Sequence, residues 1–366
     1  MNIKVKTFLT YYINKYYLNK SKNRLSNNYF QFYVTTLCLE KCSYCYLKQK
    51  NKKESSISEI IEALKKIIKK CEIDNKNLVL DLIGGDPLLK NGIFEIIDFL
   101  KDNKVNYGIK GNPHLVKKYQ SLLKISKINR FQLSLDGLEK IHDSFRSKGS
   151  FKQTLASIKL LNKLEIPVFI KYTVSSNNID EIFPLLLFLY QENIKIAGFA
   201  TARYFDEHLD KTFSKVDMEY FFDKSFEAYL KLYSLQLKEN KLLINIIFKE
   251  HMWYPYLYKK GLILDEVHNT IIDNPFSIVC SVISSNSHII ESDGFIKFCP
   301  KLPKENPTKF LEVASKEQIF LQEKIKKISC IGCFFKNVCL GCPAFHIKKQ
   351  DNLFIDKGCF LYTKLF

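Results

Sequence analysis

The sequence predicts an α/β fold built on a parallel sheet, and three observations support this fold class. From about residue 31, short runs of β-branched and aromatic residues alternate with amphipathic segments, the pattern of βα units. Three of these runs end in Gly or Gly-Gly, and in parallel α/β folds the loops after strand ends hold ligands. The length of 366 residues favours one large α/β domain with a smaller appendage.

The elements follow in order along the chain. Strands are predicted at 31–37, 78–85, 106–111, 130–137, 168–176 and 194–204, with amphipathic helices between them and a long helix over about 216–239. After residue 240 the rhythm changes to a helical connector, and a cysteine-rich region begins at about residue 275. In that region HIIESDGFIKFC predicts a hairpin turned at Asp293 and Gly294. The predicted organisation is an extension at 1–30, the α/β domain at 31–240, the connector at 241–274 and the cysteine-rich domain at 275–366.

Composition and charge limit the function classes. The formal charge of +18 could serve a nucleic acid, an acidic membrane or an acidic peptide. The lysines are dispersed over helix faces, which favours a solvated surface, so no nucleic-acid partner is expected. No apolar run approaches the roughly 18 residues of a membrane span, and no signal cleavage site follows the N-terminus. We therefore expect a cytoplasmic protein without a membrane partner.

Three cysteines lie together in CLEKCSYC, with the spacing Cys38-x3-Cys42-x2-Cys45, directly after a predicted strand. In a cytosolic chain such clusters favour metal ligation over disulfides. Three thiolates on one loop can hold three corners of a [4Fe-4S] cluster and leave its fourth iron open. Structural zinc is the weaker interpretation, because the next Cys or His after this loop is Cys71. Cys71 itself stands on a predicted helix, where a buried structural thiol is expected.

This loop, with Tyr44 before its third cysteine, resembles the signature of the radical S-adenosylmethionine (radical SAM) superfamily. The resemblance implies a partial (β/α)6 TIM-like barrel in which Cys38, Cys42 and Cys45 hold the catalytic [4Fe-4S] cluster. It also implies that SAM binds the open iron and is cleaved reductively to a 5'-deoxyadenosyl radical.

Two later strand ends carry matching motifs. LIGGDPLL at 82–89 resembles the family's Gly-Gly-Glu-Pro motif, with Asp in place of the commoner Glu. SLDG at 134–137 and HDSFR at 142–146 resemble motifs that contact the SAM carboxylate and lie near its ribose, and a guanidinium fork suits a carboxylate. The resemblance implies a SAM site formed by Tyr44, Gly84, Gly85, Asp86, Ser134, Asp136 and Arg146.

Other residues near the strand ends have less specific expectations. His142 and Asp143 are expected to position neighbours or cap a helix. Lys171 is open between a ligand and a surface lysine at a strand end. Arg203 and Tyr204 are candidates for contacting substrate, with a structural ion pair as the alternative for the arginine.

The second cysteine group resembles the SPASM extension of radical SAM peptide-modifying enzymes. Its members are Cys280, Cys299, Cys330, Cys333, Cys339, Cys342 and Cys359. The resemblance implies one complete auxiliary [4Fe-4S] cluster, on Cys330, Cys333, Cys339 and Cys359. The other three would hold a second cluster without its usual fourth cysteine, and the Cys339-x2-Cys342 step is one residue shorter than usual. One or two auxiliary clusters are therefore expected, and for His288, in the same region, packing is favoured over ligation.

The leading functional hypothesis is a radical SAM maturase of a ribosomally made peptide, forming a thioether or carbon–carbon crosslink. Its expected partners are a precursor peptide or protein substrate and a small electron donor such as ferredoxin or flavodoxin. The 37 residues before Cys38 are too few for a winged-helix leader-binding unit, so we expect either that the leader is recognised elsewhere or that the substrate is engaged directly at the barrel mouth. The alternatives are an anaerobic sulfatase maturase that forms formylglycine and, in a different class, a zinc-ribbon nucleic-acid-binding protein.

Overall fold

The computed structural model describes residues 2–45, 47, 54–203, 218–250, 252–274, 287–297 and Phe335. Within them one mixed sheet has the strand order β7-β6-β5-β4-β3-β2-β1-β8-β9. Its strands are β1 (Asn27–Thr35), β2 (Asn77–Gly84), β3 (Asn106–Lys110), β4 (Arg130–Ser134), β5 (Val168–Val174), β6 (Ile196–Arg203), β7 (Ile244–Ile246), β8 (Ser287–Ile290) and β9 (Ile296–Lys297). Every neighbouring pair from β7 to β8 is parallel, and β9 is antiparallel to β8. The parallel part is an open, partial barrel, as predicted.

Helices connect the strands and cover one face of the sheet. They are α1 (Ile3–Ser26), α2 (Ile57–Ile73), α3 (Ile93–Asp102), α4 (Gln120–Ile125), α5 (Glu139–Phe145), α6 (Ser150–Lys163), α7 (Ile182–Gln191), α8 (Met218–Lys238), α9 (Trp253–Lys259) and α10 (Asp265–Ile272). The sequence of α2 shows why such segments are helical: Ser56 and Glu59 form a capping box. Its buried residues Ile60, Leu64, Ile67 and Cys71 follow the spacing of one helix face. Cys71 is therefore a buried thiol, as expected.

Alternation along the strands separates the two faces of the sheet. Phe30 and Phe32 of β1 and Leu80 of β2 are buried in the core beneath the helices. Successive side chains of a strand point to opposite faces, so the alternate residues lie on the other, inner face. We define the inner face by Tyr29, Gln31, Asp81, Lys110, Gln132 and Lys171, which occupy those alternate positions in the paired registers.

All six predicted strands occur, and three further strands lie in the described ranges. The short strand β7 falls where the sequence predicts a connector, because three residues carry too little periodicity to be recognised. The predicted hairpin is present, with Gly294 at a φ of 82° between β8 and β9. Its strand β8 pairs in parallel with β1, so the hairpin extends the main sheet. The domain boundaries stay predictions.

The N-terminal helix α1 is tied to the segments that follow β6. The Tyr12 hydroxyl donates to the carbonyl of Ile246 at 2.6 Å. The buried Asn14 amide donates to the carbonyl of Leu262 and accepts from the N–H of Leu264, both at 3.0 Å. Among the helices of the described segments, none is long and apolar enough to cross a membrane.

Candidate active site at the carboxyl ends of the strands

The cysteine loop leaves β1 and lies against the end of β2. The N–H of Gly85 donates to the carbonyl of Thr35 at 3.1 Å, and the N–H of Asp86 donates to the carbonyl of Leu37 at 2.7 Å. A Cβ on Gly85 would lie 2.0 Å from the Leu37 oxygen, and one on Gly84 would lie 2.2 Å from the Thr35 oxygen. Two glycines are therefore needed for this close approach of two backbones. The predicted contact of Gly84 and Gly85 with SAM stays a prediction.

Cys38, Cys42 and Cys45 are half-buried free thiols on this loop. The side-chain amide of Asn112, just after β3, donates to Cys38 Sγ at 3.0 Å. Burial raises the pKa of Cys38 and raises that of Cys42 to about 12, which favours the protonated form of these two thiols in the apo protein, whereas a bound metal deprotonates a coordinating thiol.

The donor set of the loop fits a cluster. Three cysteine thiols on one loop can each bind a different iron of a [4Fe-4S] cluster and leave the fourth iron open.

Asp86 is a buried carboxylate with spare hydrogen-bonding capacity. Its Oδ1 accepts from the N–H of Leu88 at 3.2 Å, which caps the 3-10 turn Pro87–Leu89. Its Oδ2 is buried and has no hydrogen-bond partner in the described ranges. Burial raises the pKa of Asp86 to about 6. An orphaned acceptor of this kind, beside the cysteine loop, fits the amino group of SAM.

Tyr44, Asp136 and Arg146 form a buried cluster that joins the cysteine loop to the end of β4. Arg146 Nε donates to Asp136 Oδ2 at 2.9 Å, and the Tyr44 hydroxyl contacts both side chains. The N–H of Thr173 donates to Asp136 Oδ1 at 2.8 Å. Burial opposes ionisation of Asp136, but the Arg146 charge holds its pKa below the ordinary value. Both oxygens of Asp136 are thus engaged, and the cluster fixes the cysteine loop.

Ser134 is the last residue of β4 and pairs in register with Lys171 of β5. It lies at the same edge of the sheet as Asp136 and the cysteine loop. The predicted SAM contacts of Ser134, Asp136 and Arg146 stay predictions, and the structure brings these three residues to one edge.

A second buried network, not predicted, runs through Glu40 of the cysteine loop. Glu40 Oε1 accepts from His114 Nε2 at 3.0 Å and from the Ser150 hydroxyl at 2.7 Å. His142 Nε2 lies 3.3 Å from that hydroxyl, and its Nδ1 accepts from the N–H of Asp136 at 3.1 Å. Burial lowers the pKa of His142 to about 4, so a neutral ring carries this relay. A charged residue inside a loop at a strand end was the available signal for Glu40.

The expectations for His142 and Asp143 are confirmed. His142 positions the end of β4 through the contact just described. Asp143 accepts from the N–H groups of Gly149 and Phe151 at 2.6 and 2.9 Å, which caps the start of α6.

Glu54, also missed from sequence, anchors the start of the cysteine loop. Its Oε1 accepts from the N–H of Thr36 at 2.6 Å and from the Thr35 hydroxyl at 2.8 Å. Its Oε2 lies 3.2 Å from Lys90 Nζ. Burial opposes ionisation of Glu54, yet the Thr36 amide and the other donors hold its pKa below the ordinary value. The N–H of Ser55, the residue after Glu54, donates to the carbonyl of Ser292, which links this segment to the β8–β9 hairpin.

Several predicted residues lie outside the described residues: Tyr204, Cys280, Cys299, Cys330, Cys333, Cys339, Cys342 and Cys359. The backbone of Arg203 pairs in register with Val174. His288 is buried and stacks on Phe30 with ring centroids 4.8 Å apart, which agrees with the favoured packing role. Burial lowers its pKa to about 4.

The fold and the cysteine loop together define a class of protein. Residues 32–189 match the Radical SAM superfamily. This match and the open parallel sheet identify the segment as a radical SAM domain, which implies SAM and one [4Fe-4S] cluster as cofactors.

Particular relatives extend the comparison. The chain is 34% identical over 155 residues to the antilisterial bacteriocin subtilosin biosynthesis protein AlbA of Bacillus subtilis, covering 41% of this chain and 34% of that protein. It is 24% identical over 357 residues to a cysteine-type anaerobic sulfatase-maturating enzyme of Clostridium novyi, covering 87% of this chain and 90% of that protein. The first curated relatives are matched over only about a third of their length, 31 to 36%.

A solved structure shares the fold. Streptococcus suis SuiB superposes with a TM-score of 0.69 at 20% identity, covering 94% of this chain and 80% of that one. A further SuiB structure contains the precursor peptide SuiA.

Proposed function

We propose that this protein is a radical SAM peptide maturase that modifies a side chain or backbone carbon of a ribosomal peptide. A thioether or carbon–carbon crosslink is the product that we favour. The observation that carries the proposal is the meeting of the three-cysteine loop, the orphaned Asp86 carboxylate and the Tyr44–Asp136–Arg146 cluster at one edge of a radical SAM domain. When bound, the cluster and SAM would supply one-electron reduction and a 5'-deoxyadenosyl radical that abstracts hydrogen.

The residues of this chain would bind the cluster and SAM and would position the cysteine loop. Cys38, Cys42 and Cys45 would hold three irons, and Asp86 Oδ2 would accept a hydrogen bond from the SAM amino group. Arg146 and Ser134 would face the SAM carboxylate. Glu54 and Glu40 would keep the cysteine loop in place, because each binds donors from more than one segment.

A peptide substrate is supported by the relatives that are similar in sequence. AlbA is a bacteriocin biosynthesis protein, and another relative, 28% identical over 157 residues, is a sporulation killing factor maturation protein. We therefore include a precursor peptide and a small electron donor such as ferredoxin or flavodoxin as partners. The seven cysteines from Cys280 to Cys359 would hold one or two auxiliary [4Fe-4S] clusters.

The first test is SAM cleavage by anaerobically reconstituted protein under dithionite. The wild type should form 5'-deoxyadenosine, and replacement of Cys38, Cys42 and Cys45 together by Ala should abolish it. The matched control is Cys71→Ala, which removes a buried thiol of α2 and should keep both iron and cleavage. Equal cleavage by the triple variant would refute the assignment. Zinc in place of iron would favour the zinc-ribbon hypothesis.

The second test concerns the product. Short peptides encoded beside this gene should lose two hydrogen atoms per crosslink when they are incubated with the holoenzyme and SAM. Tandem mass spectrometry would locate the crosslinked residues. Cleavage of SAM without modification of any peptide would contradict the maturase proposal while leaving the radical chemistry intact.

Anaerobic sulfatase maturation is the second candidate, because the likeness to the sulfatase-maturating enzyme spans most of both chains. In that case a sulfatase peptide containing the target cysteine would lose its sulfur and gain an aldehyde that reacts with hydrazines. The absence of an eighth cysteine in the second cysteine group speaks against this candidate.

A further inference from the structure

The loop that follows β3 lies against the cysteine loop at two points. The side-chain amide of Asn112 donates to Cys38 Sγ at 3.0 Å. Two residues further along the chain, His114 Nε2 lies 3.0 Å from Glu40 Oε1. Both contacts reach the start of the cysteine loop, so the loop after β3 helps to fix the position of Cys38.

The backbone on either side of Asn112 is held in place. The N–H of Gly111 donates to the carbonyl of Gln132 at 3.2 Å, and the carbonyl of Pro113 accepts from the Ser157 hydroxyl at 3.0 Å. A residue that precedes a proline is also restricted to extended backbone. The Asn112 side chain therefore approaches Cys38 from a fixed point of the fold.

The hydrogen bond between Asn112 and Cys38 is shielded from solvent. Asn112 is buried, with 8% of its surface exposed, and its amide also lies 3.5 Å from the carbonyl of Gly85 in the turn after β2. A hydrogen bond in such a low-dielectric surrounding is electrostatically stronger than one in water.

A donor directed at a sulfur that binds iron has a definite electrostatic effect. A coordinating cysteine is a thiolate, and an N–H group that points at it offsets part of its negative charge. One-electron reduction of a [4Fe-4S] cluster adds negative charge, which such a donor stabilises. Hydrogen bonds to the sulfurs are among the factors that set the reduction potential of a cluster.

We propose that Asn112 is a positioning residue that acts through Cys38, and that its N–H···S hydrogen bond raises the reduction potential of the cluster. One electron enters from an external reductant, no covalent bond forms or breaks, and no proton moves. The cluster is the one that the radical SAM domain implies. The proposal goes beyond the proposed function, because it does not depend on a peptide substrate.

Asn28 provides a matched control in the same chain. It is 3% exposed, and its side-chain amide lies 3.7 Å from Cys71 Sγ and 3.2 Å from Asp74 Oδ2. Cys71 is a buried thiol of α2 and is not one of the predicted iron ligands. Asn28→Leu therefore removes a buried amide beside a cysteine without touching the cysteine loop.

The first test is a redox titration of the anaerobically reconstituted protein with dithionite at pH 8, followed by electron paramagnetic resonance. The signal that changes when SAM is added identifies the N-terminal cluster. Asn112→Leu has a similarly branched side chain without a donor. It should lower the equilibrium constant for reduction about tenfold, which is about 59 mV for one electron. Asn112→Asp keeps the shape but adds a negative charge, so it should lower the potential further, whereas Asn28→Leu should leave it unchanged.

Each result of the titration decides the proposal. A lower potential in both Asn112 variants, with Asn28→Leu unchanged, supports it. A fall in Asn112→Asp alone would show an effect of charge and would overturn the role of the hydrogen bond. An unchanged or higher potential in Asn112→Leu, or an equal fall in Asn28→Leu, also overturns it.

The second test detects the hydrogen bond in the wild type and does not require a variant that folds. Protein that carries ¹⁵N in the side-chain amide of asparagine is reduced, and electron–nuclear double resonance measures the coupling of ¹⁵N to the cluster. The coupling should be present in the wild type and in Asn28→Leu and lost in Asn112→Asp. A wild type without this coupling contradicts the proposal whichever variants bind iron.

Both measurements are made without a peptide. A failure to modify peptides would therefore contradict the maturase proposal alone, and an unchanged potential would contradict the role of Asn112 alone.

Discussion

At the carboxyl ends of the strands, Asp136 and Arg146 are buried together with a separation of 2.9 Å between Oδ2 and Nε. On the inner face of the same sheet, the Asp81 carboxylate is shared by Lys110 and Arg130, at 2.7 and 2.6 Å. The Asp136–Arg146 pair matches one buried carboxylate with one cation. At Asp81, one buried carboxylate meets two cations.

The difference teaches how strongly each carboxylate depends on one partner. Loss of Arg146 would leave the buried Asp136 carboxylate without the cation that pairs with it. Asp81 keeps one cation when the other is removed. Variants of the two regions should therefore differ in the size of their effect on stability.

The largest effect is expected when the matched pair is broken. Arg146→Gln leaves the Asp136 carboxylate buried without its cation and should lower the free energy of unfolding by about 3–5 kcal/mol. The variant should also lose SAM cleavage, because Tyr44 and the cysteine loop lose their anchor. Denaturant unfolding measures the first effect and deoxyadenosine formation the second.

The surface pair Lys159–Glu192 provides the control for that experiment. Its side chains are 55% and 47% exposed, so Lys159→Gln should cost no more than about 1 kcal/mol. If Arg146→Gln and Lys159→Gln lowered the free energy of unfolding by similar amounts, burial would not make the Asp136–Arg146 pair more important for stability than a surface pair.

A smaller effect is expected at Asp86, a carboxylate at the strand ends whose Oδ2 is buried without a hydrogen-bond partner in the described ranges. Asp86→Asn should weaken SAM binding about tenfold to a hundredfold, the range for a charged hydrogen bond of about 1.5–3 kcal/mol. For the wild type, SAM affinity should fall as the pH is lowered through about 6, because Asp86 then gains a proton. Equilibrium binding of SAM to the reconstituted protein, measured in a pH series on either side of this pKa, tests the effect of the variant and the effect of pH.

Ionisation of Asp86 should lower the stability of the fold, although it should raise the affinity for SAM. Because its folded pKa is raised from 3.8 to about 6, the ionised form destabilises the fold above pH 6, and this cost disappears as the pH falls towards 3.8. Asp86→Asn should therefore be as stable as the wild type at neutral pH. Exposed Asp98 is the control, and Asp98→Asn should leave SAM affinity unchanged.

The next largest effect on stability is expected at Glu54. This residue sharpens the comparison because both of its carboxylate oxygens have partners that hold the cysteine loop. Glu54→Gln loses the charge opposite Lys90 and should lower the free energy of unfolding by about 1–2 kcal/mol at neutral pH. The pKa of Glu54 is held below 4.5, so its contribution is complete above that pH and is lost as the pH falls through the lower folded value. The difference in stability between wild type and variant should accordingly shrink in acid, and a constant difference would contradict this origin.

The smallest effect is expected on the inner face. Lys110→Met leaves Asp81 paired with Arg130 and should lower the free energy of unfolding by no more than about 1 kcal/mol. Thermal unfolding measures it. A loss of stability as large as that of Arg146→Gln would remove the contrast between the two regions.

The sequence predicted the parts of the site that depend on local spacing. The Cys38, Cys42 and Cys45 loop, the Gly84–Gly85–Asp86 turn and the end of β4 are each contiguous, and each lies where a parallel sheet places its strand ends. The six central strands were recognisable because their buried faces alternate or run continuously. The strand β7 was not recognisable, since its three residues pair only through tertiary contacts.

Residues that act across the fold could not be read from spacing. Glu54 reaches Thr36, Glu40 meets His114 and Ser150, and nothing local distinguishes these carboxylates from the other 36 acidic residues of the chain. The pairing of β8 with β1 likewise joins segments more than 250 residues apart. Which distant residues and strands pair in this way depends on how the whole sheet packs.

By itself the sequence determined which thiols, glycines and carboxylates stand together at which strand ends, because residue identity and spacing are local properties. Only the tertiary structure decided the electrostatics. It buried Arg146 beside Asp136 and brought Lys110 of β3 and Arg130 of β4 to the Asp81 carboxylate of β2, because the interaction of charges depends on their distance and burial in space.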